Sequence, residues 1–147
     1  MSAGAAAGYS GTPLARKLGI KPEARLGLVS APDSFEEMLG ELPAAVVVRR
    51  RLVGAFDVVV AFCTRRAELE RRLSRWCASI DPDGGLWLAW PKRASAVATD
   101  LSDDIVRELG LAAGLVDNKV CAIDATWSAL RFVYRRADRP ARDPART

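Results

Sequence analysis

Short apolar runs alternate with amphipathic segments along most of this chain. Four runs have the length and composition of buried strands, at residues 24–30, 44–48, 56–62 and 86–90. The third run, FDVVVAF, is nearly continuous, which is typical of a central parallel strand covered on both faces. Between the third and fourth runs, Leu69, Leu73 and Trp76 recur at helical spacing and predict an amphipathic helix that begins after Thr64 as its N-cap.

Capping and turn signals complete the pattern. Asp33 followed by Glu36 resembles a capping box and predicts a short helix, and Ser102 predicts the start of another. The segment DPDGG at residues 81–85 is a loop by composition. Two closing strands, at residues 119–123 and 129–134, are separated by five residues, which is short enough for an antiparallel hairpin.

This alternation predicts an α/β fold, a small Rossmann-like, mostly parallel three-layer sheet with a C-terminal antiparallel hairpin. Trp87 and Trp90 have odd spacing in one strand, so we expect them on opposite faces of the sheet. The predicted organisation is a flexible N-terminus at 1–11, a single domain at 12–136 and a basic mobile tail at 137–147.

Charge and composition narrow the function classes. The net charge is +4, but residues 135–147 alone carry +3, so the rest of the chain gives no strong nucleic-acid signal. Histidine is absent, which removes the commonest general base and every Ser-His or Cys-His mechanism. The three cysteines lack CxxC spacing and are expected to be buried hydrophobes. No apolar run approaches the roughly 20 residues of a membrane span and no secretory leader is recognisable, so we expect a cytoplasmic protein without membrane contact.

The layout over residues 20–136, with DPDGG before LWLAW, then a helix, then Gly114-Leu115 opening a hairpin, resembles the class I methyltransferase fold. That resemblance implies S-adenosylmethionine as a cofactor, held by a glycine-rich turn after the first strand and an acidic residue after the second. In this chain the first predicted strand is followed by Ser30-Ala31-Pro32-Asp33-Ser34, which contains no glycine. The second predicted strand is followed by Arg49-Arg50-Arg51, which contains no acidic residue. These departures count against the activity that the layout implies.

A second resemblance covers nearly the whole chain. The strings YSGTPLARKLGI, FDVVVAFCTRRAELERRL and WPKRASAVATDLSDDIVRELGLAAGLVDNKVCAIDATWSALRFV resemble a small bacterial family, a domain of unknown function. This resemblance supports one intact domain and implies no activity.

Candidate ligand-binding residues follow from the predicted sheet. Ligands of open α/β sheets bind at the carboxyl ends of the strands, where the strand order reverses. Helices beginning near Asp33 and Thr64 would direct free N–H groups to that edge, where they could attract an anion. The residues that we expect to bind a ligand there are Lys92, Arg93, Ser30, Ser34, Thr64 and Arg65.

Three functions remain open at this stage. The first is a Rossmann-like binding or regulatory module for an anionic small molecule. The second is a divergent S-adenosylmethionine-dependent methyltransferase. The third is a protein-interaction domain that uses the arginine-rich tail, or an exposed strand edge through which a homodimer would form. The sequence identifies no catalytic residue, no metal site and no definite cofactor.

Overall fold

The computed structural model describes residues 12–138, which form one six-stranded sheet with helices on both faces. The strands are β1 (Arg25–Val29), β2 (Val47–Arg49), β3 (Phe56–Phe62), β4 (Ile80–Pro91), β5 (Leu115–Ala122) and β6 (Trp127–Tyr134). The helices are α1 (Leu14–Lys17), α2 (Phe35–Leu39), α3 (Arg66–Ser79) and α4 (Asp103–Ala112), and a 3-10 turn follows at Arg136–Asp138. The predicted N-terminal segment 1–11 and residues 139–147 of the predicted tail lie outside the described residues.

The strand order is β2-β1-β3-β4-β6-β5. Strands β1 to β4 are parallel, and β6 is antiparallel to both of its neighbours, β4 and β5. The predicted mostly parallel α/β sheet with a closing hairpin is therefore confirmed. The order reverses between β1 and β3, because the chain moves outward from β1 to β2 and then returns across β1 to reach β3. This reversal places the topological switch point at the carboxyl ends of β1 and β3.

Two apolar cores cover the faces of the sheet. One core joins α1 and α2 to side chains such as Val60 and Trp87, and the other joins α3 and α4 to side chains such as Val59 and Trp90. Trp87 and Trp90 thus lie on opposite faces, as their odd spacing predicts. Among residues 12–138, no helix has the length and apolarity needed to cross a bilayer.

Several predicted boundaries are wrong. The second strand begins at Val47 rather than at residue 44, because Ala45 has a φ of +62° and interrupts the extended backbone. Residues 81–85, predicted to be a loop, instead belong to the first half of β4, which begins at Ile80. The pairing of β3 with β4 is irregular there, because its register shifts between Phe56 and Val58. The two hairpin strands begin earlier than predicted, at Leu115 and Trp127. The reason is that β5 and β6 pair over nearly their whole length, from Leu115 opposite Tyr134 to Ala122 opposite Ser128.

The predicted start of α4 is confirmed. Ser102 occupies the N-cap, and its hydroxyl oxygen accepts a hydrogen bond from the Ile105 N–H at 3.3 Å. The predicted capping box of α2 is wrong, because Ser34 rather than Asp33 is in the N-cap position and its side chain makes no capping hydrogen bond.

Candidate functional site

A cleft of about 530 Å³ opens where β1 and β2 end, on the face of the sheet that carries α3. Three parts of the chain line it: the end of β1, the segment that follows β2, and one flank of α3. The lining residues are Val29, Ser30, Arg50, Arg51, Leu52, Val53, Arg71, Arg72, Arg75 and Trp76. The cleft will be called the arginine cleft.

The cleft exists because the connection from β2 to β3 is short. Residues 50–55 return across β1 without forming a helix, and Leu52 from this segment packs into the core beneath α3. Gly27 of β1 makes room for Leu52, since a Cβ at that position would lie 2.6 Å from Leu52 Cδ2. A thin extended segment covers less of the sheet than a helix would, and this leaves open space between the segment and α3.

The charge of the arginine cleft is strongly positive. Among residues 12–138, five arginines line it and no acidic residue does. Arg50 pairs with Glu36 at 2.7 Å and Arg72 pairs with Glu68 at 2.9 Å, so these two cations are partly neutralised. The other three, Arg51, Arg71 and Arg75, have no carboxylate within 4.0 Å among residues 12–138.

Ser30 gives the end of β1 an unusual geometry. Its φ is +54°, in the left-handed region that glycine adopts most easily, and its side chain is exposed at the cleft. The chain therefore turns at this point with the backbone that a glycine-rich turn would use, although no glycine is present. Ser34 is exposed four residues later, at the start of α2.

The start of α3 differs from the prediction that Thr64 caps a helix with free N–H groups. Arg65 is in the N-cap position, and the Arg66 N–H donates to Asp100 Oδ1 at 2.7 Å. The Thr99 hydroxyl donates to the Thr64 carbonyl at 2.6 Å. The loop after β4 thus supplies its own carboxylate to this helix terminus, so a ligand is not required there.

Lys92 and Arg93 lie on the loop that follows β4. The Lys92 N–H donates to the Thr126 carbonyl at 2.7 Å, which fixes this loop to the β5–β6 turn, and Arg93 is exposed. Of the six residues predicted to bind a ligand, Ser30 alone is among those lining the arginine cleft. Binding by Ser34, Thr64, Arg65, Lys92 and Arg93 stays a prediction.

The sequence pattern gave no direct sign of the α3 wall. Arg71, Arg72 and Arg75 alternate with apolar positions, and such a pattern usually indicates a solvated helix face. The spacing of Arg71 and Arg75 does place both on one flank of the helix. That flank lines the cleft opposite residues 50–55, a segment in which the described structure has no helix.

Cysteine chemistry does not explain the site. Cys63, Cys77 and Cys121 are all buried and free. Burial, reinforced by Glu68, raises the pKa of Cys63 to about 12, and burial raises the pKa of Cys77 to about 11. At neutral pH these groups are therefore thiols rather than nucleophilic thiolates.

No protein-family model and no curated protein matches the chain, so the resemblance to a small bacterial family stays a prediction. Solved methyltransferase structures do match. A methyltransferase dependent on S-adenosylmethionine from Aquifex aeolicus is 12% identical with a TM-score of 0.55, over 80% of this chain and 85% of its own. Magnesium protoporphyrin IX methyltransferase from Synechocystis PCC 6803 is 9% identical with a TM-score of 0.51, over 80% and 76%.

The pyocyanin biosynthetic protein PhzM is 10% identical with a TM-score of 0.57, and the match covers 82% of this chain and 53% of PhzM. This chain therefore spans about half the length of that protein. Similarity at such low identity shows the fold: the chain has a Rossmann-like α/β fold of the class I methyltransferase type, which confirms the predicted resemblance in layout. Ligand and activity are separate questions, because one fold supports many functions.

Proposed function

We propose that this chain is a binding protein with a methyltransferase-type fold that holds an anionic small molecule in the arginine cleft. The observation that carries the proposal is a set of three cations, Arg51, Arg71 and Arg75, that have no carboxylate partner within the described part of the chain, in a cleft whose described lining contains no acidic residue. Guanidinium groups bind phosphate and carboxylate through paired hydrogen bonds. A ligand with phosphate groups would supply the counter-charges that residues 12–138 do not.

The same charges distinguish this proposal from binding of S-adenosylmethionine. That cofactor carries a positive sulfonium next to an overall neutral amino-acid group, so five arginines repel it. The residues at the two strand ends also do not match the set that holds the cofactor in this fold. Ser30 stands in place of the glycine-rich turn, and β2 ends in Arg49 and is followed by Arg50, where the acidic residue would be.

Isothermal titration calorimetry with inorganic phosphate, pyrophosphate, ATP, NADP and coenzyme A tests the proposal. We expect saturable binding that weakens as salt is raised, because the attraction is between exposed charges. Arg51→Ala and Arg75→Ala should each weaken the affinity about 10- to 150-fold, corresponding to about 1.5–3 kcal/mol for a hydrogen bond to a charged group. Arg135→Ala is the matched control, since this exposed arginine lies outside the cleft.

Two variants separate the cleft from the site predicted on the loop after β4. Loss of binding in Lys92→Ala or Arg93→Ala, with Arg51→Ala and Arg75→Ala unaffected, would move the ligand to that loop. Equal affinity in all four variants would contradict a specific anion site of either kind.

A divergent methyltransferase dependent on S-adenosylmethionine is the second candidate, and the solved structures support it more directly than they support the first. The specific observation in its favour is the left-handed φ of Ser30 at the end of β1, which preserves the backbone turn of a cofactor loop without its glycine. If the chain is such a methyltransferase, we expect S-adenosylmethionine and S-adenosylhomocysteine to bind near residues 30–34.

Thermal shift with the two adenosyl compounds tests the second candidate. A ligand at about 100 times its dissociation constant adds roughly 2.7 kcal/mol of stability. For a chain of this size that raises the Tm by about 5–10 °C. A shift with S-adenosylhomocysteine that survives Arg51→Ala and Arg75→Ala would favour the methyltransferase, whereas a shift with ATP or pyrophosphate that those variants abolish would favour the anion-binding protein.

A further inference from the structure

The cations that lack a carboxylate partner are divided between the two walls of the arginine cleft. Arg51 belongs to the segment that follows β2, whereas Arg71 and Arg75 belong to α3. Arg71 and Arg75 are one turn apart, so their Cα atoms are separated by about 6 Å along the helix axis. A ligand that pairs with all three arginines therefore presents acceptors to both walls and along a turn of α3.

The charge on these three arginines exceeds the charge of one phosphate group. All three residues are exposed, and none has a carboxylate within 4.0 Å among residues 12–138. A phosphate monoester carries a charge of about −1.5 to −2 at neutral pH and offers three acceptor oxygens. A guanidinium binds phosphate best through two parallel hydrogen bonds, so three arginines compete for the oxygens of a single phosphate. Two linked phosphates supply both the missing charge and the additional acceptors.

An apolar patch lies beside these charges. Val29, Leu52 and Val53 line the same cleft, and Val53 is 66% exposed. The backbone of Val53 is held on both sides, because its N–H donates to the Arg51 carbonyl and its carbonyl accepts from Arg25 Nη2, each at 3.0 Å. An organic group placed over the Val53 side chain would remove apolar surface from water, which is favourable.

Size and chemistry together indicate a class of ligand. The volume of about 530 Å³ lies within the range of about 300–1,000 Å³ for small-molecule sites and is larger than an inorganic anion fills. We propose that the arginine cleft binds a diphosphate ester, with its phosphates against Arg51, Arg71 and Arg75 and its organic group over Val53. This inference rests on the proposed function, since it names the class of anion that the same site binds. Nucleoside diphosphates and isoprenoid diphosphates share this chemistry and differ in the organic group.

Calorimetric titration of the full chain tests the inference with two diphosphate esters, ADP and geranyl diphosphate. Each is compared with its own monophosphate, AMP or geranyl monophosphate, and with pyrophosphate and inorganic phosphate. We expect the better diphosphate ester to bind at least about tenfold more tightly than its monophosphate and than pyrophosphate, because it alone contacts both the arginines and the apolar patch. The tighter of the two esters identifies the organic group as a nucleoside or a hydrocarbon.

Two variants assign the parts of the ligand to the parts of the cleft. Val53→Ser should weaken the ester toward the affinity of pyrophosphate and leave pyrophosphate binding unchanged, because it removes apolar contact and no charge. Arg71→Ala should reduce the advantage of the diphosphate ester over its monophosphate. Val97→Ser is the matched control, since Val97 is 40% exposed and is not among the residues lining the cleft, and it should change neither affinity. Equal weakening of the ester and of pyrophosphate by Val53→Ser would overturn the inference.

Failure of this inference and failure of the proposed function give different results. Binding of phosphate and pyrophosphate that Arg51→Ala and Arg75→Ala weaken, without a gain from either organic group, would overturn the diphosphate ester and leave the anion-binding function standing. Absence of binding by every one of these anions would overturn both.

Discussion

The contact between Gly27 and Leu52 decides whether the segment after β2 is packed in place or free to move. A Cβ at Gly27 would lie 2.6 Å from Leu52 Cδ2, 3.3 Å from Phe56 Cδ1 and 3.4 Å from Val59 Cγ2. Ordinary carbon contacts are about 3.5–4.0 Å, so the substitution Gly27→Ala overlaps Leu52 by about 1 Å. Phe56 and Val59 are fully buried, which leaves Leu52 as the side chain that must give way.

The expected magnitude follows from two opposing effects. Overpacking a core costs about 1–3 kcal/mol, and replacing a strand glycine by alanine recovers about 0.5–1 kcal/mol of backbone entropy. Gly27→Ala should therefore destabilise the chain by about 1–2 kcal/mol. Leu52→Ala should cost about 2 kcal/mol, the low end of the range for leucine, because Leu52 is only partly buried.

The double variant isolates the contact. Once the Leu52 side chain is gone, the added methyl group has space, so Gly27→Ala should be nearly neutral in the Leu52→Ala background. We expect a coupling free energy of about 1–2 kcal/mol, measured by urea denaturation followed by tryptophan fluorescence. Val53→Ala is the control, since Val53 is 66% exposed on the same segment, and its effect should add to that of Gly27→Ala within about 0.5 kcal/mol.

The result that would refute this reasoning is additivity of Gly27→Ala and Leu52→Ala. It would show that residues 50–53 do not rest on β1, and the walls of the arginine cleft would then be undefined. The anion titration provides a second measurement. If Gly27→Ala displaces Leu52, the adjacent Arg51 moves with it, and the affinity for the anionic ligand should fall even though no charge has been removed.

Three other outcomes are expected. Ser30→Gly should stabilise the chain by about 0.5–1 kcal/mol in urea denaturation, because it relieves the φ of +54°, and a loss of stability would contradict that geometry. Ser102→Ala should cost about 1 kcal/mol through loss of the α4 cap, whereas Ser102→Asp should retain most of the stability. The folded Cys63 thiol has a pKa raised to about 12 from 9.0, so its contribution to stability is present below pH 9 and is lost as pH rises toward 12. Wild type should therefore lose stability more steeply above pH 9 than Cys63→Ala, and equal slopes would show that the thiol is not protected.

The sequence was sufficient for the fold class because the strongest signals are local. The valine-rich run of β3, the apolar face of α3 and the cap at Ser102 each depend on neighbours a few residues away. The boundaries that were wrong depend on distant pairing. Residues 81–85 have loop composition, yet they continue β4 beside the start of β3, and no local pattern reports that pairing.

The site divides in the same way. Ser30 and the arginines after β2 could be expected at the carboxyl edge, because that edge follows from the order of strands and helices. The wall of the arginine cleft that α3 forms could not be predicted in this way, because Arg71 and Arg75 have the sequence pattern of a solvated helix face. Asp100 and Thr99 contact the start of α3 from more than 30 residues away in the sequence. The residues around Thr64 gave no sign of these contacts, and Thr64 was therefore wrongly predicted to cap the helix.

By itself, therefore, the sequence determined the elements, their alternation and the mostly parallel sheet, since periodicity and capping act over one or two turns of chain. Tertiary structure alone decided which arginines have no carboxylate nearby within residues 12–138. The short return of residues 50–55 across β1 exposes the flank of α3, and the glycine at residue 85 of β4 admits Arg131 from β6. Both are consequences of long-range packing, in which the space left by one segment fixes the surroundings of a charge on another.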